Sequence, residues 1–171
     1  MNKKDFAIFA SALRTYYPRE KLLPNEQAME LWFNQLQDIP YDIATLTLNK
    51  WVATNKWSPC IADIREQAAG IVHGAPRDWG EAWQEVLNAI RKYGSYQEKE
   101  ALESMDETTR RVVNRLGFRN ICTSEEIQVD RANFRMIYEQ EVQREKQDAQ
   151  IPPKLKELIT KTVLLLEQGG E

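Results

Sequence analysis

Apolar residues recur at helical spacing in one segment after another, and the runs stop at prolines and glycines. Phe6, Phe9, Ala10, Leu13 and Tyr17 share one face of a first helix. It ends at Tyr17-Pro18, because the residue before a proline is pushed out of the α region. Asn25 is placed to cap a second helix carrying Ala28, Leu31, Trp32, Leu36 and Ile39. After Asp38-Ile39-Pro40, Pro40 opens a third helix with Ala44, Leu48, Trp51 and Val52. A fourth, from about Cys60 to His73, follows Trp57-Ser58-Pro59 and carries Ile61, Ile64 and Ala68 on one face. Ser58 is a capping residue, and Pro59 suits the first helical position, where its missing N–H costs nothing. Trp51 and Trp57 read as pinning this loop onto a small core. Four helices in ~70 residues with brief connections predict an antiparallel or orthogonal bundle over residues 1–74.

Gly70 and His73-Gly74-Ala75-Pro76 mark the expected boundary. Beyond it, Trp79, Trp83, Val86, Leu87 and Ile90 share a face until Tyr93-Gly94. A short helix is expected over Ser95–Met105. Asp106 then caps another that runs through Thr109-Arg110-Arg111-Val112-Val113 to Leu116-Gly117. Residues 129–147 read as one long helix with Phe134, Ile137, Tyr138 and Val142 inward. Its second half, 139–148, is nearly all charged or amide and is expected to project into solvent. Residues 75–150 thus form a second helical region. Ile151-Pro152-Pro153 breaks the chain before a last amphipathic helix in residues 151–171, with Leu155, Leu158, Ile159, Val163 and Leu166. Gln168-Gly169-Gly170 ends it. A detached apolar helix docks on its own domain or in a partner's groove, and its own domain is the commoner fate. The fold class is all-α.

Composition narrows the function. Of 171 residues, 42% are hydrophobic and five are tryptophan, which is core-forming content. The formal charge of −3 gives no general basic excess of the kind phosphate binding draws on. No run of ~18 apolar residues spans a membrane, and the N-terminus has no signal-peptide pattern, so a cytoplasmic location is expected. Cys60 and Cys122 lie far apart and read as reduced thiols. A phosphate-loop motif is absent, and the single histidine, His73, with scattered cysteines makes no zinc site. No cofactor is called for. Carboxylates such as Asp38, Asp42, Glu98, Glu100 and Glu103 sit among basic residues and read as solvated surface. The chain is read as a non-enzyme.

Two surface features stand out. Arg110, Arg111, Arg115 and Arg119 lie along one helix and its exit, with a one-turn spacing that presents a basic stripe. Such a stripe contacts phosphates weakly and in a salt-dependent way. Acidic neighbours at Glu103, Asp106, Glu107, Glu125 and Glu126 offer local neutralisation instead, which is the favoured reading. Trp79 and Trp83, one turn apart, read as a core pair before an interface hot spot.

The stretch from Leu31-Trp32-Phe33 through Asp38-Ile39-Pro40-Tyr41 to Ile61-Ala62-Asp63-Ile64-Arg65-Glu66 resembles the N-terminal domain of phage-encoded loader/inhibitor proteins of the bacterial replicative helicase. Asp78-Trp79-Gly80-Glu81-Ala82-Trp83, Thr109-Arg110-Arg111-Val112-Val113 and Arg131-Ala132-Asn133-Phe134-Arg135 extend the likeness downstream, so that it covers most of the chain. The resemblance implies an all-α protein of a phage or prophage of a Gram-positive bacterium. It implies a protein that binds the host's hexameric replicative helicase, holds it inactive and delivers it to the phage origin, where an origin-binding protein competes for it. In shorter relatives a mobile C-terminal part contacts the helicase. Here the second half is longer and too rich in Trp, Ile and Leu for a disordered tail. The partner-binding expectation therefore falls on the terminal helix, through Leu155, Leu158, Ile159 and Val163, with the basic stripe second. The alternatives are a DNA-binding replication initiator or regulator using Arg110 to Arg119, and a phage inhibitor of another host protein.

Overall fold

The computed structural model describes residues 1–168, and among them every regular element is a helix. The segment Gln168-Gly169-Gly170, expected to end the last helix, lies mostly outside the described residues. Contacts divide the chain into two compact units, Met1–Gly74 together with the segment from Lys146 onward, and Ala75–Glu145.

In the first unit, α1 (Lys3–Tyr16), α2 (Glu26–Leu36), α3 (Tyr41–Thr54) and α4 (Ile61–His73) close on one core. Asn2 starts α1 by accepting from the amides of Lys4 and Asp5 at 2.8 and 3.0 Å, and the Asp5 carboxylate accepts in return from the Asn2 amide. Asn25 caps α2 as its position predicts, accepting from the Ala28 amide at 2.8 Å. Phe6, Phe9, Leu13, Leu36, Leu48 and Ile64 are buried together, as the periodicity predicts. Leu31 departs from it: 59% exposed, it lies outside this core.

The α3–α4 loop is built differently from the sequence reading. Helix α4 starts at Ile61, and the Asp63 carboxylate accepts from the Cys60 amide at 2.8 Å. Ser58 caps nothing; its hydroxyl donates to the Glu20 carboxylate. Trp51 does pin the loop, but by donating its indole N–H to the Trp57 carbonyl at 2.8 Å. The Trp57 ring itself stands in solvent, 78% exposed.

The second unit contains α5 (Trp79–Tyr93), α6 (Glu98–Glu103), α7 (Glu107–Leu116), α8 (Phe118–Thr123) and most of α9 (Ile127–Gln150). Its core holds Trp83, Val86, Val112, Val113, Phe118, Ile121, Phe134 and Tyr138, with Trp79 packed at its edge. Trp83 is therefore core, as expected of the pair, while Trp79 is partly buried against it. The Phe134 ring lies 5.2 Å from that of Trp83 and 5.6 Å from that of Tyr138. Helix α8 has no counterpart in the sequence reading. It begins where Gly117 turns the chain with φ of 87°, a conformation only glycine adopts without strain.

Candidate partner-binding surface

Helix α10 (Pro153–Gln168) begins two residues after α9 ends. Pro153 occupies its first position, and the Pro152 carbonyl accepts from the amides of Leu155 and Lys156 at 2.9 and 3.0 Å. At 100° per residue, Leu155, Leu158, Ile159, Val163 and Leu166 form one apolar face, with Lys156, Glu157, Thr160 and Lys161 away from its centre. The expectation that this face packs on its own domain is overturned. Leu155, Leu158, Ile159 and Val163 are 41, 60, 46 and 45% exposed, and none belongs to either core. The reason lies in the link, since only Ile151 and Pro152 separate α10 from α9. Each of them precedes a proline and favours extended backbone, which does not turn one helix back along the other.

The basic stripe is largely spent on ion pairs. Arg110 pairs with Glu107. Arg111 pairs with Glu145 and, at 3.8 Å, with Glu107. Arg115 lies 3.8 Å from Glu141. Neutralisation agrees with the sequence reading, but its main source does not: Glu141 and Glu145 belong to the half of α9 expected to project into solvent. That half is not free; Glu141 is only 13% exposed. Arg119 falls beyond the Gly117 turn, on α8, and so does not continue the stripe of α7.

The second unit also holds a polar cluster absent from the sequence reading. Asp106 caps α7, accepting from the amides of Thr108 and Thr109 at 3.0 and 3.1 Å and from the buried Thr109 hydroxyl at 2.5 Å. Arg77 bridges Asp106 at 2.7 Å and Glu85 at 3.2 Å. Burial raises the Asp106 carboxyl, but hydrogen bonds from Thr109 and the nearby Arg77 outweigh it and hold the group below its ordinary value. Glu85 goes the other way, raised by burial and then by sharing its surroundings with Asp106. The capping hydrogen bonds and the ion pairs account for this cluster as a structural joint. Among the described residues no three His, Cys, Asp or Glu side chains are grouped to hold a metal ion. No described helix is long and apolar enough to cross a membrane. His73 sits in the exposed last turn of α4.

Arg65 is the only buried charged residue among those described. Its guanidinium meets both oxygens of Asp38 at 2.9 and 2.8 Å, the Gln35 carbonyl at 2.6 Å and the Gln150 carbonyl. Asp38, read from sequence as solvated surface, does lie at the surface, but its carboxylate is committed to this arginine. Burial raises the Asp38 carboxyl, yet the hydrogen bonds and charge of Arg65 hold it below its ordinary value. A signal was available: Arg65 lies between Ile61, Ile64 and Ala68 on the apolar face of α4, where a charge requires a partner.

The capped α1, helices α2 and α3, and the Gln35, Asp38 and Arg65 members of this clasp all fall within one stretch. Residues 1–65 match the family model of the phage gene 39 protein, N-terminal domain. That family is the phage helicase loader/inhibitor group that the sequence resembles. The match takes in α1, α2, α3 and the first turn of α4, and stops at Arg65. The likeness drawn further downstream rests on sequence alone. No curated protein and no solved structure matches the chain.

Proposed function

We propose that this chain is a phage DNA-replication adaptor that binds a bacterial replicative hexameric helicase. It inhibits the ring, loads it at the phage origin, or does both in turn, acting in the host cytoplasm. No reaction is catalysed and no cofactor is used. Binding energy alone favours one conformational state of the ring, and a competing origin-binding protein releases it.

The observation that carries this reading is the uncovered face of α10 on a chain whose first 65 residues match a loader/inhibitor N-terminal domain. Leu155, Leu158, Ile159 and Val163 together leave about two whole aliphatic side chains to bury, ~3–6 kcal/mol on docking. Switching a ring from one state to another takes ~5.5 kcal/mol of differential binding, and association carries its own cost. One helix is therefore the anchor but not the whole contact, and the matched domain supplies the rest. The ion pairs on Arg110, Arg111 and Arg115 leave little charge for phosphates, which ranks DNA binding below protein binding.

The test mixes the purified chain with the purified host helicase. Co-elution on a sizing column, with unwinding suppressed in the absence of any origin protein, supports the adaptor reading. Separate elution with unwinding unchanged refutes it.

A further inference from the structure

In the first unit the C-terminal ends of two helices, α2 and α9, meet one cation. Gln35 lies in the last turn of α2 and Gln150 is the last residue of α9, so both carbonyls belong to the sets that no helix satisfies internally. Each helix C-terminus also carries partial negative charge. Arg65 stands between them and uses four of its five N–H donors: one to Gln35, one to Gln150 and two to Asp38. A buried cation is costly unless fully partnered, and here it is partnered by a carboxylate and two helix ends. Lysine has neither the planar fork nor the reach to meet three groups at once.

The position of this clasp gives it a consequence. Arg65, Gln35 and Asp38 lie inside the stretch that matches the loader/inhibitor N-terminal domain, whereas Gln150 lies 85 residues further on, outside it. From Gln150 only Ile151 and Pro152 lead to α10, and both are partly buried. Pro152 and Pro153 stiffen the link further, since each fixes its own φ. Whatever holds Gln150 therefore holds the root of α10.

We propose that Arg65 is a positioning residue for the partner-binding helix, its guanidinium clasping the end of α9 to the matched domain so that domain and α10 meet the helicase as one unit. Linked contacts of this kind gain from each other because the second forms at high effective concentration. Releasing the clasp leaves α10 intact and the matched domain folded, but lets them engage independently. The inference rests on the reading of α10 as the helicase contact.

The experiment compares the full chain with Arg65→Lys and with the double variant Arg65→Met/Asp38→Leu. The double variant replaces the ion pair by apolar groups of similar size and so retains the fold. Hydrogen exchange is followed over residues 147–151 and over the core of α1 and α3, and helicase affinity is measured in parallel. The expected result is exchange at 147–151 faster by about tenfold or more, the factor one lost charge-assisted hydrogen bond carries, with α1 and α3 unchanged. Helicase affinity falls by about tenfold or more alongside it. Faster exchange throughout the unit would mean a merely structural role and overturn the proposal. Unchanged exchange at 147–151, or faster exchange with undiminished affinity, would overturn it too. A wild-type chain that fails to bind helicase removes the partner reading instead, while the exchange data still report whether the clasp exists.

Discussion

Replacing Asp106 by alanine tests whether the second unit hangs on one carboxylate. Three contributions are lost together. The α7 cap is worth ~1 kcal/mol. The Thr109 hydroxyl, buried with its 2.5 Å bond to Asp106, loses its acceptor at a cost of ~1–2 kcal/mol. The Arg77 pair, with that arginine 45% exposed, adds only ~0.2–1 kcal/mol. The total is ~2–4 kcal/mol, or a fall in melting temperature of about 13–27 °C for a unit of this size. Asp106→Asn keeps an oxygen at the cap and loses only the charge, so it is expected to cost ~1 kcal/mol. Calorimetry of the full chain, with hydrogen exchange at α5 and α7 to assign the transition, separates the two variants. Asp106 is held below its ordinary value, so its contribution is present above the unfolded pKa and lost as pH falls through the folded one. The Asn variant is therefore expected to flatten the acid limb of the stability profile. A loss under ~0.5 kcal/mol for alanine, or equal losses for alanine and asparagine, would mean that the second unit does not depend on this carboxylate.

Glu85 is raised by burial, which has the opposite sign: its ionised form is disfavoured by folding, and stability falls as pH rises through that range. Glu85→Gln is thus expected to raise the melting temperature at pH 7, with the gain vanishing below the ordinary carboxylate range; a loss at pH 7 would contradict it. Leu158→Ala with Ile159→Ala removes about half of the exposed face of α10, an expected 10- to 100-fold loss of helicase affinity in calorimetry. Because neither residue touches a core, the melting temperature is expected to stay within about 2 °C. Arg111→Ala is expected to leave helicase binding unchanged within about twofold, since the guanidinium is already paired with Glu145; a steep loss of duplex-DNA binding in that variant would favour the nucleic-acid reading.

Much of the architecture can be read from the chain because it is helical and locally punctuated. Phe6, Phe9 and Leu13, or Trp83, Val86 and Ile90, announce their faces by spacing, and Asn25 and Asp106 announce their helices by capping chemistry. Six residues, Phe118–Thr123, are too few to set a period, so α8 has no local signal although Phe118 and Ile121 are buried. Long-range polar joints leave weaker marks. The Arg111/Arg115 and Glu141/Glu145 pairs share a four-residue spacing that lets two helices trade charges, but nothing local says that they meet. Arg65 is legible as an anomaly on an apolar face, while its partner 85 residues away is not. The same division holds for α10: its stripe is plain in sequence, and only the structure reveals that the stripe lies uncovered.

The most direct measurement compares the intact chain with a version ending at Gln150 for binding to the purified hexameric helicase. Tight association is expected for the intact chain, with a loss of at least about 100-fold on truncation and both chains equally folded. Equal binding by both would remove α10 from the interface, and no binding by either would contradict the adaptor function itself.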